Sequence, residues 1–141
     1  MTQDIPVYSW KTPFFTAAFC LLLLLLINDT ATRLYLYSGY PWIDIPLHIL
    51  GGFSVGIAAV GLIRIIFPGK AYTSVPLFLY MILLVLCVGI AWEFVEWYYK
   101  ASVAFGGNFW FDTYKDLLMD TLGGILSYIC FRPQKKDLQT L

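Results

Sequence analysis

The sequence predicts an all-α fold: a polytopic membrane helical bundle of about four transmembrane helices, with both termini in the cytoplasm. Three observations lead there. Apolar residues make up 60% of the chain and charged ones only 13%, against roughly 45–50% apolar content in soluble domains, and the mean hydropathy is +0.73. The apolar residues gather into runs of membrane-spanning length, parted by short segments holding Gly, Pro or charge. The 5 Trp, 10 Tyr and 11 Phe concentrate near the ends of those runs, as aromatic belts do at a bilayer interface.

A length of 141 residues predicts a single transmembrane domain, 1–141. A formal net charge of +0 and the lack of a basic patch argue against nucleic acid as a partner. Cys20, Cys87 and Cys130 all fall inside apolar runs, without metal-ligand spacing. They read as buried, inert thiols and not as a disulfide framework.

The first span is placed at about 13–37. Lys11 ahead of an apolar core also fits a signal peptide. Asp4, the single preceding Lys and the lack of a small-residue cleavage site favour a retained helix that continues through Asn28, Asp29 and Thr30. Ser38-Gly39-Tyr40-Pro41 reads as a turn, with Pro41 suited to the start of the next helix. The second span, about 42–67, carries Asp44 and His48 one turn apart. Gly52-x-x-x-Gly56 then lets another helix approach closely. Pro68-Gly69-Lys70 closes it. The third span, about 75–98, is free of charge through Trp92 and ends with Glu93 and Glu96 on one face. The fourth, about 112–131, opens with Asp112, Asp116 and Asp120 at every fourth residue, a single acidic stripe, and a polar tail, 132–141, follows.

Orientation comes from the basic residues. With four spans, Lys11, Arg64, Lys70, Arg132, Lys135 and Lys136 lie on one side and Arg33, Lys100 and Lys115 on the other, six against three. That excess puts both termini in the cytoplasm.

This topology brings the polar residues to one end. Asp29 comes late in the outward first span, Asp44 and His48 open the second, Glu93 and Glu96 end the third, and Asp112, Asp116 and Asp120 open the fourth. Carboxylates gathered under low dielectric cannot all stay ionised without countercharge, so they hold protons or bind cations. Arg33, Lys100 and Lys115 are too few. A divalent metal ion (Mg²⁺, Ca²⁺, Mn²⁺ or Zn²⁺) fits oxygen-rich ligands with one imidazole, and the ligand set is Asp44, His48, Glu93, Glu96, Asp112, Asp116 and Asp120. Structural roles compete at several of these positions. Asp112 suits a helix cap and Asp44 a helix start, while Glu96 can pair with Lys100 and Asp29 with Arg33, each at i, i+4. His48, Glu93, Asp116 and Asp120 lie deeper, with no cation three or four residues away.

The motifs D-x-x-x-H-x-x-G-G at 44–52, W-E-F-x-E-W at 92–97 and D-T-x-x-D-L-x-x-D-T-x-G-G at 112–124 resemble the small YjdF-like inner-membrane proteins. More distantly, their order is similar to that of the VanZ-like family. The resemblance covers spans two to four and implies a helical membrane protein whose motif residues face a common site.

Three functional readings stand together, and the residues leave open whether the protein is an enzyme. One is a metal-dependent enzyme acting on a lipid or envelope substrate, with His48 and Glu93 as catalytic residues. Another is a structural or accessory subunit whose polar cluster staples helices and docks a partner. The last is a proton or divalent-cation transport module. The expected partners are membrane lipids and either further copies of the chain or a larger membrane complex.

Overall fold

The computed structural model describes residues 11–66, 74–99 and 109–131. The connections at 67–73 and 100–108, with Lys70 and Lys100, and the polar segments at both ends lie outside the described residues. Within them the chain is helical: α1 (Lys11–Arg33), a single short turn of helix α2 (Leu36–Gly39), a 3₁₀ turn (Pro41–Ile43), α3 (Asp44–Ile66), α4 (Ser74–Tyr99) and α5 (Phe109–Phe131).

Three stretches, Thr12–Arg33, Pro41–Ile63 and Val75–Tyr98, are long and apolar enough to cross a membrane. Helix α5 has 23 residues, about 34 Å at ~1.5 Å per residue, which is length enough. Asp112, Lys115, Asp116 and Asp120 in its first half set it apart from the other three. Large apolar side chains such as Phe15, Phe19, Leu79, Leu83, Leu126 and Ile129 cover the outer faces. In water such a surface would drive association, whereas against lipid it needs no cover.

The first helix is shorter than its hydropathy suggests. It stops at Arg33 and does not run to 37. Leu34 N–H still reaches the Thr30 carbonyl at 3.0 Å, but Tyr35 N–H bonds Thr32 at 3.2 Å. This tightens the end into a 3₁₀ turn, a common way to satisfy terminal carbonyls. Tyr35 then takes a left-handed conformation, φ 54°, which reverses the chain into α2. Arg33 lies in the last turn, where a cation suits the helix dipole.

Helix α3 is the hub: α1 and α5 pack against it, and α4 packs against both α3 and α5. The α3–α5 seam is the closest because glycine lines it on both sides. A Cβ at Gly52 would overlap the Asp120 carbonyl, and one at Gly123 would overlap the backbone at Ile49 and Phe53. Backbone-to-backbone contact of this kind is how membrane helices gain packing energy when lipid is as apolar as their side chains. The expectation that Gly52 and Gly56 receive another helix therefore holds, and that helix is α5. Further from the acidic end, Ala59, Val60, Leu77, Met81 and Tyr128 form the apolar core, with Phe78 edge-on to Tyr128 at 5.1 Å. All three cysteines are free, but only Cys20 is buried. Cys87 and Cys130 are exposed on outer helix faces, because an apolar run in a membrane helix marks lipid contact as readily as core.

Candidate functional site

The acidic stripe of α5 is on its buried face. Asp116, Asp120, Gly123, Gly124 and Ser127 form one inward row, as residues three and four apart must on a helix. Close glycine packing on α3 thus pulls two carboxylates into the bundle. Asp116 is 0% exposed, and His48, Glu93 and Asp120 are each 6% exposed.

The carboxylates divide between an ammonium and an imidazole. Lys115 Nζ lies 2.7 Å from Asp112 Oδ1, 3.2 Å from Asp44 Oδ2 and 3.3 Å from Asp116 Oδ1. One ammonium thus fills the triad where α3 and α5 begin. His48 stands between helices: its Nε2 is 3.5 Å from Asp44 Oδ1 and 3.9 Å from Asp116 Oδ1, while its Nδ1 is 3.4 Å from Asp120 Oδ1. The last contact orients the ring through the nitrogen facing away from Asp116.

A second grouping lies toward α4. One ligand atom each from His48, Glu93, Glu96 and Asp116 falls within 4.8 Å of the others. Among the described residues Lys115 reaches this quartet at Asp116, and no lysine or arginine pairs with Glu93 or Glu96. Glu93 Oε1 and both oxygens of Asp116 are buried with no hydrogen bond formed, as is the Thr113 hydroxyl beside Glu93. Asp116 Oδ1 has only the longer ionic contacts to Lys115 and His48. Buried acceptors are satisfied in the great majority of cases, so three together mark a place where donors or a cation belong. The Asp44, Asp112 and Asp116 triad has ligand spacing too, but there the Lys115 ammonium already supplies the positive charge.

Every residue expected at the site is therefore at the same end of the bundle, in differing roles. Asp112 is within the first turn of α5 and pairs with Lys115. Asp44 shares Lys115 with Asp112 and also approaches His48. Glu96 Oε1 accepts from Trp92 Nε1 at 2.6 Å, while its expected partner Lys100 lies outside the described residues. Asp120 holds His48 and belongs to neither ligand grouping. Asp29 stays apart in an exposed pair with Arg33 at 2.7 Å, as the i, i+4 spacing predicted.

Sequence reasoning counted Lys115 among the countercharges but did not single it out as the ion that fills the triad, although its position three residues after Asp112 signals a pair. It also missed Gly89, whose absent side chain leaves room for the Asp120 carboxylate. A Cβ there would come within 2.6 Å of Asp120 Oδ2. At the mouth, outside the spans, the Tyr37 hydroxyl donates to Asn28 Oδ1 at 2.6 Å. Burial first, then the Asp44 and Glu96 carboxylates, push the Tyr37 hydroxyl up to about 12.

Fold and site together define an integral membrane helical protein with a buried carboxylate–imidazole cluster at one end. The chain belongs to the family described as "Predicted membrane protein (DUF2238)", whose model matches residues 4–137. Comparison with curated proteins and with solved structures gives no match.

Proposed function

We propose that this protein binds a divalent metal ion through His48, Glu93, Glu96 and Asp116 and uses it as an enzyme on a lipid or envelope substrate. The observation that carries the reading is the quartet itself: four ligand atoms within 4.8 Å, with Glu93 Oε1 and both Asp116 oxygens buried and without hydrogen bonds. Three carboxylates and one imidazole suit Mg²⁺, Ca²⁺ or Mn²⁺, and the imidazole also admits Zn²⁺. When bound, such an ion acidifies water and polarises an ester oxygen. Around it, Asp120 fixes the His48 ring, an arrangement common behind metal-bound histidines. Glu93 is placed to take a proton from water. Lys115 neutralises the neighbouring triad.

In this proposal α5 is the fourth span, both termini are cytoplasmic and the cluster opens at the outer face of a bacterial inner membrane. The likeness to YjdF-like and VanZ-like proteins rests on the same three motifs and supports a shared site, not a named reaction. An accessory role has its own support: the glycine seam and the His48 bridge from Asp44 to Asp120 would staple α3 to α5 without any ligand. Transport has less support, since Ile57, Val60, Leu77, Met81 and Val85 are fully buried below the cluster.

Mn²⁺ titration of the detergent-purified protein, followed by electron paramagnetic resonance, tests the reading. The expected result is one saturable site that is lost in Asp116→Asn. Because the ligands must shed protons, its affinity should rise with pH. Mn²⁺ binding that never saturates, or is equal in Asp116→Asn, would overturn it.

A further inference from the structure

Helices α1 and α4 both lean on α3 without a seam between them comparable to those they make with α3. The gap is a cavity of about 250 Å³. Its walls are apolar, with Leu21, Leu24 and Leu25 on α1 facing Val85 and Val88 on α4, and its far side is the glycine-rich stretch of α3 at Gly51 and Gly52. Leu21, Leu25 and Val88 are 40%, 56% and 43% exposed, so the cleft is open along its length and not sealed by its own side chains. One end is polar: Asp44, His48, Glu96 and Asp120 line it beside Asn28 and Tyr37. The cleft and the buried cluster are therefore continuous.

From this juxtaposition we infer that the α1–α4 cleft holds the hydrocarbon chain of a single-chain lipid whose head carries hydroxyl or amine donors and reaches the carboxylate cluster. Three features set that choice. The volume of about 250 Å³ falls just below the roughly 300–1,000 Å³ of drug-sized sites, room for part of one chain with no space for a second beside it. The walls offer only apolar surface, and a bilayer supplies hydrocarbon chains laterally at this depth. At the polar end the lining is rich in acceptors. The Trp92 indole N–H is already given to Glu96 and the Tyr37 hydroxyl to Asn28, so apart from the Asn28 amide and the His48 ring the lining accepts, and a head that brings donors suits it. A phosphate head would meet Asp44, Glu96 and Asp120 as like charge. The inference rests on the reading of the cluster as a reaction centre, for which it names the substrate class and the route of entry.

Native mass spectrometry of the detergent-purified protein tests it, with monopalmitin, sphingosine, palmitoyl lysophosphatidic acid and dipalmitoyl glycerol as probes. Monopalmitin or sphingosine should form a saturable one-to-one adduct. Val88→Trp and Leu25→Trp, on opposite walls, should each weaken it roughly tenfold or more, a change of ~1.4 kcal/mol or above. Leu22→Trp, outside the lining, should leave it unchanged. An adduct equal in all three variants, preference for the phosphate or two-chain probe, or a second copy of the chain in place of the probe would each overturn the inference. Metal content measured on the same samples separates the two proposals. Metal with no adduct rejects the cleft alone, and an adduct with no metal rejects the metal reading alone.

Discussion

Two halves of one acidic cluster share Asp116 and differ in what neutralises them. The half at the start of α3 and α5 contains its own cation: Lys115 lies within 3.3 Å of Asp44, Asp112 and Asp116. The half facing α4 brings Glu93, Glu96, Asp116 and His48 together and leaves three carboxylate oxygens without hydrogen bonds. Both sit under the same helix ends, so depth alone does not explain the contrast. A charge group that carries its counterion is complete as folded protein. One that lacks it has stored a preference for something else, because isolated buried charge costs far more than paired charge.

The comparison can be broken most forcefully at Lys115. Lys115→Met leaves three carboxylates facing one another. With 26% of the lysine side chain exposed, the loss should fall somewhat below the ~3–5 kcal/mol of a fully buried pair, about 2–3 kcal/mol, read as a lower melting temperature in detergent. Added divalent ion should restore most of it, because the triad then has ligand spacing without an ammonium. A variant as stable as the native chain would remove the distinction between the halves.

Glu93→Gln should do the opposite. It keeps shape, removes charge and breaks no protein hydrogen bond at Oε1, so melting without metal should change by no more than about 1 kcal/mol. Metal affinity should fall by more than the roughly 10–100-fold typical of changes behind the ligands. Calorimetry and metal binding on one preparation give both readouts. Gly89→Ala sharpens the account from outside the ligand set. Its new Cβ presses on Asp120 Oδ2 and Leu117 and so turns the group that orients His48. Metal affinity should drop about 10-fold or more with only a modest shift in melting. Unchanged affinity would mean that Asp120 does not position the ring. The smallest effect belongs to Arg33→Ala. That pair is solvent-facing, 75% and 58% exposed, and exposed pairs rarely contribute measurably. Neither melting nor metal content should move.

Much of this was legible in the residues. Apolar runs located the three membrane-length helices and the helix that follows them, and the positions of Asp44, His48, Glu93, Glu96, Asp116 and Asp120 at the ends of those runs placed them together. That inference needs only helices that run antiparallel in sequence order. Local geometry was less visible. The stop of α1 at Arg33 depends on a left-handed Tyr35, a residue with no intrinsic bias for that conformation. The outward placement of Cys87 and Cys130 depends on which apolar face meets lipid, and the low amphipathicity of these helices hides it. The division of the acids between Lys115 and the quartet depends on side-chain reach across the α3–α5 seam. The cleft depends on α1 and α4 standing apart, which no spacing encodes.

The central claim is that the quartet is a metal centre and the triad is not. Elemental mass spectrometry of the protein purified after exposure to Mg²⁺, Ca²⁺, Mn²⁺ and Zn²⁺ together, native chain beside Glu93→Gln, tests it most directly. The account predicts one metal ion per native chain and none in the variant, with the two melting alike once metal is stripped from both. A native chain without metal, beside a Glu93→Gln variant that melts markedly lower, would contradict it and make the quartet a staple between helices.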